Sequence, residues 1–453
     1  MIRFLFALVV VLLPALGRAE PPTASAETSP GGIAYTLLHL PGNKDVAVTA
    51  AWPTDWACRA GVNQAAPIVG THLILSGGAD GYPAGEVIET FADLKAEARL
   101  YLSAQDHVIG EIVTRKENLS EAARIANAHL RAPTLDEGWF ARIRDGVEQN
   151  MAAARARPSH AGFAAVRWAV FGDQPLRNSL SLDAPGVFRD LSRADVAAWH
   201  RETFTRNPEA VVVAGDIDAA AAGRAVDALL AGLPDTTPDI SRRVRADFTP
   251  RRILLHLPDA KATSLAFIAP LPPTQEGGEL EDLILTGALG GQRGVLFDAV
   301  RTRLRASYGF SAGFSNYTRE LRVLFMAGEV EPDRLTEIER TVHAAYAGFR
   351  KDGPEGKLAA RKAPLRARFA KMPDFVLDVT RSELQSALDG HAPGRALGLA
   401  AEVDSVTQES LRARLVGAYP ETDDFIVIAV SPDANALPDA CVITVPQQAS
   451  GCR

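Results

Sequence analysis

The stretch Ala65–Gly78, AAPIVGTHLILSGG, sets one imidazole, His72, on an apolar run of helical character that carries no acid. An imidazole can ligate a metal or carry a proton, but a catalytic zinc takes three protein ligands and a lone histidine supplies one. None of the nine histidines falls into a His-x-x-Glu-His, His-Glu-x-x-His or Cys/His zinc spacing. A second candidate is Ser311, inside GFSAG at Gly309–Gly313, which matches the Gly-x-Ser-x-Gly elbow of serine hydrolases. That elbow needs a strand, a sharp turn and then a helix. Here Tyr308, Phe310, Ala312 and Phe314 alternate with small or polar residues, which predicts that Ser311 lies within a strand and is no nucleophile. Three cysteines remain, without Cys-x-x-Cys spacing. Cys441 and Cys452 bracket a short polar segment and are expected to pair in an oxidising compartment, while Cys58 is expected to be a buried small apolar residue.

These residues sit in a chain of 453 residues, too long for one ordinary core, with a formal charge of -7 that argues against nucleic acid, which requires a concentrated basic face. Arg3, the run FLFALVVVLLPALG and the small residues Gly17 and Ala19 follow the order of a secretory signal, so residues 1–19 are expected to be a signal peptide and the protein periplasmic or secreted. An uncleaved anchor is the alternative. No later run approaches the roughly 20 apolar residues of a membrane helix.

The sequence is built twice. LLHLP begins at Leu37 and again at Leu254, an offset of 217. LILSGG from Leu73 matches LILTGA from Leu283, and AVVVAGDIDA from Ala210 matches FIVIAVSPDA from Phe425, offsets of 210 and 215. A near-constant offset over three separated segments implies two homologous domains of about 200 residues each. Within a copy, VAVTAAW and AVVVAG read as strands, EARLYLSAQDHVIGEIVT as a strand pair, and GEVIETFADLKAEA and ENLSEAARIANAHL as helices, the latter with Asn118 as its cap. Ser192 is expected to cap SRADVAAWHRETF. Strands that gather before and after helices argue for an α+β fold, each domain an antiparallel-rich sheet packed against helices.

The ordered set of segments is similar to the insulinase/pitrilysin family of metallopeptidases, the inverzincins. ENLSEAARIANAHLRAPTLDEGWFARIRDGVEQNM and FGDQPLRNSLSLDAPGVFRDLSRADVAAWHRETFTRNPEAVVVAGDID resemble its first domain, and LGGQRGVLFDAVRTRLRASYGFSAGF resembles the Leu-Gly-Gly, Arg and Tyr signature of its second. The resemblance implies a His-x-x-Glu-His motif at Ile68, Val69, Gly70, Thr71 and His72, of which His72 alone keeps its identity. One ligand has become Ile68 and the general base Thr71, so no metal is expected on this chain. The third ligand would fall at Glu148, with Gln149 or Asn150 fitting the spacing as well. Arg301 and Tyr308, seven residues apart, match the family's substrate pair. A guanidinium can hold a carbonyl through forked hydrogen bonds and a phenol can donate to a forming oxyanion.

The resemblance therefore implies half of a clam-like chamber: a non-catalytic, substrate-binding subunit whose zinc-bearing sister peptidase subunit degrades peptides in the periplasm. The expected division is a signal peptide at 1–19, a first domain with a degenerate zinc motif at 20–235, a linker at 236–250, a second domain with the Arg/Tyr pair at 251–440 and a tail at 441–453. The alternative is a stand-alone pseudopeptidase acting as a scaffold, which has no chemical reason to keep Arg301 with Tyr308. Seven basic residues between Lys351 and Lys371, with Arg350, read first as a solvated helical face and second as a contact surface for an acidic partner domain.

Overall fold

The computed structural model describes residues 20–354 and 356–453, with Tyr308 described by its backbone alone. The expected signal segment 1–19 lies outside the described residues. The first half runs β1 (Thr23–Thr28), β2 (Ala34–His39), β3 (Asp45–Pro53), α1 (Ala66–Ser76), α2 (Val87–Asp93), β4 (Glu97–Ser103), β5 (His107–Arg115), α3 (Leu119–Arg131), α4 (Glu137–Arg155), α5 (Pro158–Phe171), α6 (Pro175–Ser181), α7 (Arg193–Thr203), β6 (Ala210–Gly215) and α8 (Ala219–Leu230). The second half runs β7 (Arg251–His256), β8 (Thr263–Leu271), α9 (Glu279–Gly290), β9 (Ser307–Thr318), β10 (Leu321–Val330), α10 (Leu335–Asp352), α11 (Leu358–Lys371), α12 (Val376–Leu388), α13 (Arg395–Ser405), α14 (Gln408–Ala418), β11 (Ile426–Ser431) and β12 (Cys441–Ile443).

Two six-stranded sheets result, in the orders β1-β2-β6-β3-β5-β4 and β12-β7-β11-β8-β10-β9. Position by position the orders correspond, so the repeat in the sequence is a repeat of topology. Both LLHLP segments end a strand that pairs in parallel with the last long strand of its own half, β2 with β6 and β7 with β11. The outer positions differ: β1 comes from the start of its half and runs antiparallel to β2, whereas β12 comes from the chain end and runs parallel to β7. The stretch expected to be a tail thus supplies a sheet strand.

Each sheet is covered on both faces, and the helix on one face comes from the opposite half. On β3, Val46, Val48, Ala50 and Trp52 turn toward α1, α3, α7 and α8, and the intervening Ala47 and Ala51 turn toward Val376, Val379 and Leu384 of α12. The period-2 alternation separates these sets, and the small side chains lie where a helix crosses closely. Reciprocally, Ala161, Ala165 and Ala169 of α5 pack on Ile253, Ile268 and Ile428 of the second sheet. The halves are therefore interlocked, and the 234–250 segment that joins them has no regular element.

Two local expectations differ from the structure. The helix over GEVIETFADLKAEA stops at Asp93, because Lys95 takes a left-handed φ of 51° and turns the chain into β4. Asn118 precedes α3 but leaves its N-terminus uncapped, its Nδ2 donating instead to the Leu94 carbonyl at 2.8 Å. Ser192 does cap α7, accepting from Asp195 N at 3.2 Å while Asp195 accepts from Ser192 N at 2.8 Å, a reciprocal pair that satisfies two end donors. Among the described residues no helix is long and apolar enough to cross a membrane.

Candidate functional site

α1 begins with a proline in its first turn and packs against α7 at Gly70, where a Cβ would lie 2.3 Å from the Trp199 ring. That contact fixes which face of α1 is inward. Thr71 is buried and its Oγ1 donates to the Ile68 carbonyl at 3.0 Å, so the hydroxyl is spent on its own helix. Ile68 offers no donor atom and is half-buried, while His72 is exposed. Glu148, Gln149 and Asn150 are exposed on α4, which lies against α1. Among the described residues no group of three or more histidine, cysteine, aspartate or glutamate side chains could hold a metal. A zinc ion does not fit this donor set, since one imidazole and a committed hydroxyl cannot replace three ligands.

The second half is built more tightly around its candidate residues. A Cβ on Gly290 would fall 1.8 Å from the Ala312 nitrogen, so only glycine lets the end of α9 touch β9. From there the chain enters a helical segment whose Phe297–Arg303 portion is wound as a π-helix, a wide turn often found at functional sites. Arg301 is exposed on it, its guanidinium 5.4 Å from the centre of the Phe297 ring one turn earlier. β9 follows as the outer edge strand of its sheet. In the ladder with β10, Ser307 faces Val330 and Gly309 faces Glu329, so Tyr308 falls at a register shift. Such irregularities are frequent next to active sites. Ser307 staples this one: its Oγ donates to the Glu329 carbonyl and accepts from Gly309 N at 3.1 Å. A cleft of about 410 Å³ opens beside it, walled by Lys261, Arg305, Ser307 and Glu329. Lys261, Arg305 and Ser307 had no signal in the sequence, since a bulge and its cleft depend on pairing partners more than 20 residues away.

Ser311 lies within β9 opposite Ala327, in the middle of a regular ladder, and forms no nucleophile elbow. Cys58 is reduced, and burial pushes its thiol up to about 11, which leaves it unreactive at neutral pH. Cys441 and Cys452 are joined by a disulfide.

Polar contacts set the two halves relative to each other. Glu111 of β5 is 3% exposed and accepts from Arg381 Nε and Nη2 of α12, both at 2.6 Å, and from the Tyr101 hydroxyl at 2.8 Å. At the β4–β5 turn, buried His107 lies between Asp106 (Nδ1 to Oδ1, 2.8 Å) and Glu209 (Nε2 to Oε2, 2.9 Å). Both ring nitrogens face carboxylates, an arrangement satisfied only by an imidazolium donating from each. Burial alone would lower this imidazole's pKa, but the two carboxylates outweigh it and hold the pKa above its ordinary value. Asp106 Oδ2 accepts from Arg319 N of the second half at 2.6 Å, and Arg242 of the connecting segment donates to the Asp106 carbonyl at 2.9 Å.

Comparison with known proteins agrees with the fold. Residues 190–365 match the family model described as the peptidase M16 inactive domain. Among solved structures, the chain is similar to a peptidase M16 inactive domain from Pseudomonas fluorescens, with a TM-score of 0.79 at 14% identity over 92% of this chain and 100% of that one. It is also similar to the periplasmic protease PqqL from Escherichia coli, with a TM-score of 0.69 at 15% identity over 96% of this chain and 50% of that one. A further match is the ferredoxin protease FusC in complex with Arabidopsis ferredoxin, with a TM-score of 0.69 at 15% identity over 95% of this chain and 48% of that one. A search of curated protein sequences gives no match.

Proposed function

From a chain whose residues 190–365 match the peptidase M16 inactive domain, and whose resemblance to the insulinase family sets Ile68 and Thr71 where a zinc ligand and a base would fall, we infer a non-catalytic, substrate-binding subunit of a heterodimeric zinc peptidase. The observation that carries this reading is an asymmetry. Among the described residues the first half gathers no set of metal donors around Ile68, Thr71 and His72, whereas in the second half α9 meets β9 at a glycine that tolerates no Cβ, in the stretch that carries Arg301 and Tyr308. A scaffold that no longer met peptides would have no use for that second face. The size of the relatives supports the same reading: this chain spans about half of PqqL and of FusC, which leaves room in each of those proteases for a second unit of its size.

In the assembled enzyme the sister subunit supplies zinc and the attacking water, and this chain supplies donors. Arg301 holds a substrate carbonyl through its planar fork, and Tyr308 donates to the oxyanion as it forms. The protein works in the periplasm, as PqqL is described to do. The test is reconstitution with a zinc-bearing sister chain and a quenched fluorescent peptide. Activity should rise on mixing, and Tyr308→Phe should lower turnover on the order of 100-fold while the complex still elutes intact. Arg301→Ala should in addition weaken peptide binding. Full activity in the doubly substituted complex would refute the roles and leave a scaffold.

A further inference from the structure

A groove of about 680 Å³, within the size range of ligand pockets, opens between α9, α11 and α12. Its floor is apolar, made by Leu283, Phe314, Phe369 and Met372, and Phe375 stands at its rim 60% exposed. It is contiguous with that apolar floor, and contiguous apolar surface, not a lone exposed side chain, is what marks an interaction site. Its walls carry four cations, Arg368, Lys371, Arg381 and Arg395, against two acids, Glu279 and Asp378, in a protein whose overall charge is -7. Two of the four are already matched: Arg395 by Glu279 and Glu402, and Arg381 by buried Glu111, with Asp378 beside it. Arg368 and Lys371 are exposed and form no ion pair with a carboxylate among the described residues. α11 contributes both, and its 14 residues, LAARKAPLRARFAK, include no acid at all.

We propose that this groove is a specificity subsite for the substrate, taking an extended peptide segment in which an acidic side chain lies next to an aromatic or aliphatic one. The apolar residue would settle on Phe314, Phe369 and Phe375, and the carboxylate would meet Arg368 and Lys371. The position along β9 fits such a role. Phe314 lies six residues beyond Tyr308 on one strand, about 20 Å away, a span that an extended peptide of roughly six residues covers. The subsite rests on the reading of this chain as a peptide-binding subunit, but it can be tested without zinc or a sister chain.

The probes are three labelled heptapeptides that alternate leucine or phenylalanine with glutamate, glutamine or lysine, titrated by fluorescence anisotropy against the full chain at low salt. The glutamate peptide should bind roughly tenfold more tightly than the glutamine peptide and lose that advantage as salt screens the cations. Arg368→Glu with Lys371→Glu should abolish the advantage, while the glutamine peptide stays within twofold. Phe375→Ser should weaken both peptides, and circular dichroism should show each variant folded. Equal binding of the glutamate and glutamine peptides, or unchanged discrimination in the charge-reversed variant, would overturn the subsite. The Arg301 and Tyr308 substitutions are read separately, by turnover in the reconstituted enzyme. A failed subsite therefore shows here, and a failed Arg/Tyr role shows only in the reconstituted enzyme.

Discussion

Removing Arg381 should loosen the clasp between the halves by an amount the structure lets one bound. Arg381→Ala deletes two 2.6 Å charge-assisted hydrogen bonds to a carboxylate that is 3% exposed, leaving Glu111 with the Tyr101 hydroxyl alone. Breaking a fully buried pair costs about 3–5 kcal/mol, because the surviving charge is stranded. Here the Arg381 side chain is 38% exposed, so water can reach that side and the expected cost falls to about 2 kcal/mol. The loss is expected to be local, since α12 is the element pinned to the first sheet. Opening of Val376–Leu388 should then become about 30-fold more frequent, the factor equivalent to about 2 kcal/mol. Amide hydrogen exchange read by mass spectrometry on that helix measures this directly. Glu111→Gln combined with Arg381→Met should cost less than the sum of the single changes, because no buried charge is left unmatched. Exchange in Arg381→Ala within threefold of the wild type would refute the reasoning, and so would strict additivity in the cycle.

Gly290→Ala drives a Cβ to 1.8 Å from the Ala312 nitrogen and should cost about 3 kcal/mol in urea unfolding, with lost activity in the reconstituted enzyme. The raised pKa of His107 means that its ion pairs contribute fully below the unfolded value of about 6.5 and are lost as pH rises through the folded value. Stability should therefore decline as pH rises above the unfolded value and through the raised folded one, and His107→Gln should flatten that part of the profile. Replacing Cys441 and Cys452 by serine opens a link between residues 11 apart and should cost about 3 kcal/mol, while Cys58 should resist alkylation until the protein unfolds.

What the sequence made legible follows the range of its signals. LLHLP and its copy are short strands with local period-2 pattern, so the duplication and the α+β class could be read directly. Which sheet each helix covers could not, because the pattern of α5 or α12 says only that a helix has an apolar face. In retrospect Ala47 and Ala51 carry the sign of it, small residues on one side of a strand whose other side holds Trp52. The expectation that Ile68 and Thr71 supply no zinc chemistry could be formed from the sequence because it depends on residue type alone. The bulge at Tyr308, the Ser307 staple and the groove at Phe375 were not, since each depends on register or on elements far apart in the chain. Likewise Glu209 reaches His107 across 102 positions of sequence.

The claim on which the account turns is that this chain works beside another that carries the metal. Affinity purification of the full chain from its native host under mild salt, followed by native mass spectrometry with metal analysis, tests it most directly. The account predicts a one-to-one complex with another chain that contains His-x-x-Glu-His, one zinc per complex, and no stoichiometric zinc on this chain once separated. A protein recovered alone or only as copies of itself, or a zinc that stays with this chain and is lost on His72→Ala, would contradict it.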